Sequence, residues 1–214
     1  MLFPKWANRT PPIIGAALGL LVLGGGTAFA LFISPYNTQV GYAPKQPVPY
    51  SHKLHAGDLG IDCRYCHVGV ERGPAAVVPP TETCMNCHTQ VKPDSPKLEP
   101  VRTSAATGDA VEWVRIHHLP DFVYFNHSVH VNAGVGCESC HGRIDEMETV
   151  FQAKPLNMRW CLDCHRAPEK HLRPVDMVTK MGYEPEGGDQ LAIGMALKEA
   201  AGLHPTTDCS GCHR

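Results

Sequence analysis

Five copies of one short pattern constrain this chain more than any other feature: Cys63-Arg-Tyr-Cys66-His67, Cys84-Met-Asn-Cys87-His88, Cys137-Glu-Ser-Cys140-His141, Cys161-Leu-Asp-Cys164-His165 and Cys209-Ser-Gly-Cys212-His213. They use all 10 cysteines of the 214 residues. Paired cysteines alone would suit a disulfide framework or zinc sites. Neither accounts for a histidine after every second cysteine. With 13 His in the chain, five such coincidences have a chance probability on the order of one in a million. Cys-x-x-Cys-His is the attachment pattern of haem c, in which two thioethers tether the porphyrin and the adjacent imidazole becomes the proximal iron ligand. The expected cofactor is five covalent haem c groups. Cys63, Cys66, Cys84, Cys87, Cys137, Cys140, Cys161, Cys164, Cys209 and Cys212 would attach them, with His67, His88, His141, His165 and His213 on the irons.

Residues 13–33, IIGAALGLLVLGGGTAFALFI, carry no charge and are long enough to span a bilayer as a helix. Ala28-Phe29-Ala30 would fit a signal-peptide cleavage site, but the apolar run continues through Leu31, Phe32 and Ile33, so an uncleaved anchor is expected. Lys5 and Arg9 precede the run and the first basic residue after it is Lys45. The positive-inside rule then places residues 1–12 in the cytoplasm and the remainder on the periplasmic side of a bacterial inner membrane. Small residues at Gly15, Gly19 and Gly24 to Gly26 would suit close packing on a partner helix. Charged residues are only 19% of the chain, with a net charge of -2, which gives no basic surface for nucleic acid.

Residues 34–50 are polar and Pro-rich and read as a linker to a haem domain over 51–214. Within that domain one unit recurs. Tyr50-Ser-His52-Lys-Leu-His55 precedes the motifs at 63 and 84, and Phe125-Asn-His127-Ser-Val-His130 precedes those at 137 and 161. The repeats thus run over about 50–88 and 125–165, and the motif at 209–213 stands alone. Gly and Pro punctuate the intervening chain, and the clearest soluble helix is QLAIGMALKEAAG, 190–202, stopped by Gly202. With so little aliphatic sequence, the haems themselves are expected to form the core, and the apo-chain is expected not to fold.

Five proximal histidines leave His52, His55, His117, His118, His127, His130, His171 and His204 for five distal positions. On a helical turn, residues i and i+3 share a face yet diverge, so each repeated His pair can serve two irons and staple two haems together. His52, His55, His127 and His130 are the expected distal ligands, and His117 the fifth, with His118 beside it. His171, His204 or a methionine (Met158, Met177, Met181 or Met195) is the alternative at one site, and a His/Met haem would have the higher potential.

The aromatic-x-His-x-x-His before Cys-x-x-Cys-His is similar to class III multihaem cytochromes. The anchor with YSHKLHAGDLGIDCRYCH, WVRIHHLPDFVYFNHSVHVNAGVGCESCHG, PLNMRWCLDCHR and a terminal fifth motif resembles the pentahaem subunit of bacterial alternative complex III, over essentially the whole chain. The resemblance implies one transmembrane helix and a class III-like domain of short helices and loops around its haems. It also implies a membrane quinol oxidoreductase with iron–sulfur, monohaem cytochrome c and integral-membrane partners, passing electrons to a periplasmic carrier or terminal oxidase. By the same resemblance, His52 faces the haem of His67 and His127 that of His141, while the second His of each pair serves another haem.

If every iron carries two protein ligands, no coordination site is left for a substrate and the chain is a non-catalytic electron wire. A multihaem reductase of a small molecule such as nitrite would need an open iron. An autonomous quinol dehydrogenase like the anchored tetrahaem cytochromes would carry Met just after its first motif, where this chain has Val68-Gly69-Val70.

Overall fold

Each Cys-x-x-Cys-His motif lies on a helical turn. The structure, a computed structural model, describes residues 4–34 and 38–213. After a 3-10 turn, Lys5–Arg9, the first α-helix is Thr10–Ile33 (α1). The motifs then fall on Cys63–Cys66 (α2), Thr81–His88 (α3), Cys137–His141 (α6), Met158–Arg166 (α7) and Cys209–Cys212 (α9). Glu99–Thr107 (α4), His127–Asn132 (α5) and Gln190–Ala200 (α8) complete the α-helices among the described residues. No strand occurs among them; there are only two isolated bridges, Val123 with His213 and Val135 with Leu172.

The chain divides into two compact units, one ending at Val40 and one beginning at Gly41. In the first, α1 is the one described helix long and apolar enough to cross a membrane. Its 24 residues give a length of about 36 Å, against about 30 Å of hydrocarbon. None of its side chains is buried. The acidic and basic groups that would oppose insertion are absent from Thr10 to Ile33.

In the second unit, four helices begin where the sequence supplies a side-chain acceptor for an orphan N–H group. Asp62 accepts from Arg64 N at the head of α2, Asn126 from Ser128 N at α5, Asn157 from Trp160 N at α7 and Asp189 from Ala192 N at α8. Helix α8 closes with Gly202 at φ 58°, its N–H bonded to Glu199 O and that of Leu203 to Lys198 O, a Schellman ending. The expected helix over 190–202 is therefore present with its glycine stop. Gly194 lets α8 lie directly on the backbone of Glu169, where a Cβ would strike the Glu169 carbonyl. Lys198 pairs with Glu169 at 3.0 Å across the same contact.

The apolar core is thin. Val48, Val70, Val101, Val131, Met147, Leu172 and Val178 are the buried hydrophobic residues among those described, and only Val70, Val131 and Val178 form a cluster, with Ala76 against it. Seven side chains of this size cannot offset the entropy of ordering the rest of the domain. A large apolar group must fill the space between the motif helices.

Candidate functional site

The two His-x-x-His segments adopt nearly the same local geometry. Tyr50 meets His52 edge-on at 4.8 Å and 84°, and stacks on His55 at 4.4 Å and 21°. Phe125 meets His127 edge-on at 4.8 Å and 84°, and stacks on His130 at 4.8 Å and 28°. The aromatic two residues before each pair is thus a wedge that keeps the two imidazoles apart. The backbone beneath differs: His127–Asn132 is α-helical, whereas His52 caps a π-helical turn, Lys53–Asp58.

Hydrogen bonds fix the tautomer of six histidines in the same sense. The Nδ1 atoms of His55, His67, His88, His127, His130 and His165 bond to the carbonyl oxygens of Ser51, Val77, Val91, Pro74, Asn126 and Thr206, at 2.6–2.8 Å. A carbonyl can only accept, so each Nδ1 is the donor and each Nε2 keeps its lone pair. This is the outer-shell arrangement that orients a metal-ligating histidine.

Five of those rings, with His141, lie in couples. Ring centroids of His55 and His88 are 6.2 Å apart, of His130 and His165 6.1 Å, and of His127 and His141 6.5 Å, the last nearly parallel at 10°. Two imidazoles on opposite sides of one metal, with metal–nitrogen bonds of about 2.0–2.1 Å and a ring radius of about 1.1 Å, place their centroids about 6.2 Å apart. The residues present fit a bis-histidine haem iron at each couple. No disulfide joins any of the ten cysteines, as thioether attachment requires.

Burial and neighbouring imidazoles shape the electrostatics. Burial, followed by nearby His67 and His55, pushes His52 down to about 4. Burial, followed by His117, His127, His67 and His52, pushes His141 down to about 3. Both are neutral at physiological pH, the form that ligates iron. Their Nδ1 atoms are buried with no hydrogen-bond partner.

Residues 123–214 match the family described as cytochrome c7 and related cytochrome c. Over 149 residues the chain is 36% identical to the multihaem cytochrome c subunit of menaquinone reductase from Nitratidesulfovibrio vulgaris, covering 60% of this chain and 70% of that protein. The chain belongs to the multihaem c-type cytochromes. Covalent haem c is accordingly its cofactor, and its fold is a small helix-rich multihaem domain preceded by an apolar helix.

The attachment motifs of this cytochrome touch in a definite pattern. The side chain of Asn86, in the second motif, donates to Tyr65 Oη of the first at 3.1 Å. Cys66 neighbours Cys84 of the adjoining motif, Cys161 neighbours Cys212, and Cys140 neighbours both Cys164 and Cys161. The side chains of Cys63 and Cys137 are in direct contact. One strap of backbone holds that last contact: Val178 O accepts from Cys137 N at 2.9 Å, and Thr179 O lies 4.0 Å from Cys63 Sγ.

Arg173 fastens the strap. Its guanidinium is buried against Glu138 of the third motif at 2.6 Å, donates to Lys180 O at 2.9 Å and lies 4.8 Å over the Tyr183 ring. Gly136 leaves the space, since a Cβ there would overlap the guanidinium. Sequence reading passed over Arg173, Glu138 and this strap. A lone arginine in HLRPVD and two backbone carbonyls carry no local signature.

His117, expected as the fifth distal ligand, lies beside the third motif. Its ring is edge-on to His141 at 4.5 Å, too close for an iron between them, and its Nε2 is buried without a partner. The ring described against His213 is that of Phe122, at 5.7 Å, while Tyr124 N donates to Cys212 O at 2.8 Å. His118 and His204 are exposed, as are Met158 and Met195; His171, Met177 and Met181 are half-buried.

Proposed function

We propose that this cytochrome is a membrane-anchored pentahaem electron wire within a quinol-oxidising complex of the alternative complex III type, and is not catalytic alone. The observation that carries this reading is the set of three imidazole couples at 6.1–6.5 Å, each suited to closing an iron on both faces. When bound, the haems supply one-electron redox chemistry. The chain's own residues do the rest: ten cysteines for attachment, His67, His88, His141, His165 and His213 as proximal ligands, and His55, His127 and His130 as distal partners of His88, His141 and His165. His52 takes the haem of His67, as its nearness to that ring supports.

The relative named as a menaquinone reductase subunit supports a quinone-linked complex, and the exposed apolar α1 supports anchoring in the inner membrane with the haem domain on the periplasmic side. Iron–sulfur, monohaem cytochrome c and integral-membrane subunits are the expected partners, and a periplasmic carrier or terminal oxidase the acceptor.

Purified in mild detergent, the holoprotein should carry five haems by mass and pyridine haemochrome. It should copurify with such subunits and oxidise quinol only in their presence. Full quinol oxidation by this chain alone, or reduction of nitrite at a CO-binding haem, would overturn the reading.

A further inference from the structure

The structure assigns the five attachment sites an order in space that differs from their order in sequence: 84–88, 63–67, 137–141, 161–165, 209–213. We infer that electrons follow this order and that redox partners meet the path at its two ends, the second and fifth motifs. The inference rests on the pentahaem reading above and deepens it.

Each link stands on its own contacts. The second and first motifs are joined by Asn86 to Tyr65 at 3.1 Å and by the first His pair, since His55 faces His88 at 6.2 Å while His52 neighbours His67. The first and third share the Val178–Thr179 strap. Pro74, just beyond the first motif, also accepts from both the backbone N–H and Nδ1 of His127, which faces His141. The third and fourth are joined by the second His pair, with His127 on His141 and His130 on His165. The fourth and fifth are joined by His165 Nδ1 to Thr206 O at 2.6 Å, with the Thr206 side chain packed over Gly211.

Cysteine neighbours across motifs follow the same order: Cys66 with Cys84, Cys63 with Cys137, Cys140 with Cys164 and Cys161, and Cys161 with Cys212. The free ends should be the accessible ones, and they are. Cys87 and Cys209 are the two exposed cysteines, in the second and fifth motifs, and the other eight are half-buried. A one-electron donor centre of the complex at one end and a one-electron acceptor centre at the other keep the balance, because each electron received is passed on.

The test is an experimental structure of the full-length holoprotein together with haem counts on variants. Nearest-neighbour irons should follow the order given, with the most solvent-open haem edges at the second and fifth motifs. Cys84→Ala with Cys87→Ala, and separately Cys209→Ala with Cys212→Ala, should each lose one of five haems and leave the low-spin spectrum of the other four in place. Five irons arranged in sequence order, or an end haem enclosed by other haems, would overturn the inference alone. Fewer than five irons would overturn the pentahaem reading and the order with it, and the mass of the holoprotein separates the two failures.

Discussion

The imidazoles of His127 and His141 lie opposite one another across motif three, 6.5 Å apart and 10° from parallel, although fourteen positions separate them in the chain. His130, one turn further along the same helix, faces His165 instead. On the function proposed above, a single helical turn addresses two irons. His127→Ala and His130→Ala should each convert one haem from low spin to high spin, and the reduced protein should then bind one CO more than the unsubstituted protein. The double variant should bind two more. One additional CO in the double variant would show that only one of the pair ligates iron.

Arg173 is 7% exposed and Glu138 17%, so their ion pair is shielded from solvent and breaking it leaves a buried charge. Arg173→Met should destabilise the holoprotein by about 3–5 kcal/mol. Combining it with Glu138→Gln, which keeps an acceptor for Gly182 N–H but removes the orphaned charge, should recover part of that loss. Denaturant unfolding followed at the Soret band measures both. Equal destabilisation in the single and double variants would mean that the charge pair contributes little and the packing of Arg173 on Tyr183 carries the effect.

What the sequence disclosed follows from how local each feature is. The motif helices, the His-x-x-His segments and the helix ending at Gly202 are each written within about a dozen residues, where spacing and capping residues act directly. The aromatic before each His pair was visible as a pattern, and the structure supplies its reason in the edge-on and stacked contacts of Tyr50 and Phe125. The strap from Val178 to Lys180 was hidden, because its bonds come from backbone carbonyls, which every residue possesses. Helix α4 was hidden too: Glu99–Thr107 buries only Val101 and Ser104, too few apolar positions to show a helical period.

The thin core leads to an expectation about cofactor removal. With seven buried hydrophobic residues among those described and motif helices as short as four residues, well below the length at which isolated helices persist in water, the domain depends on its haems for apolar contact. Expressed without the haem-attachment machinery, the domain should show little helical far-UV circular dichroism and rapid proteolysis. A protease-resistant apo-domain with near-native helix content would locate the stabilising core in the polypeptide and contradict this account.

Helix α1 can be separated from the haem domain on structural grounds. It belongs to the unit ending at Val40, whereas Gly41 N already donates to Gln152 O at 2.8 Å and Tyr42 O accepts from Gln152 N at 3.1 Å, so the second unit is fastened from its first residues. All the large hydrophobic side chains exposed between Ile13 and Ile33 would then serve contact with lipid or partner helices. A chain starting at Gly41 behind a cleavable export signal should be released as a water-soluble protein with the same haem count, spectrum and midpoint potentials as the full-length form. The full-length form should require detergent. A changed haem spectrum in the truncated protein would mean that residues before Gly41 help to shape the haem domain, and retention of that protein in the membrane would assign anchoring to another surface.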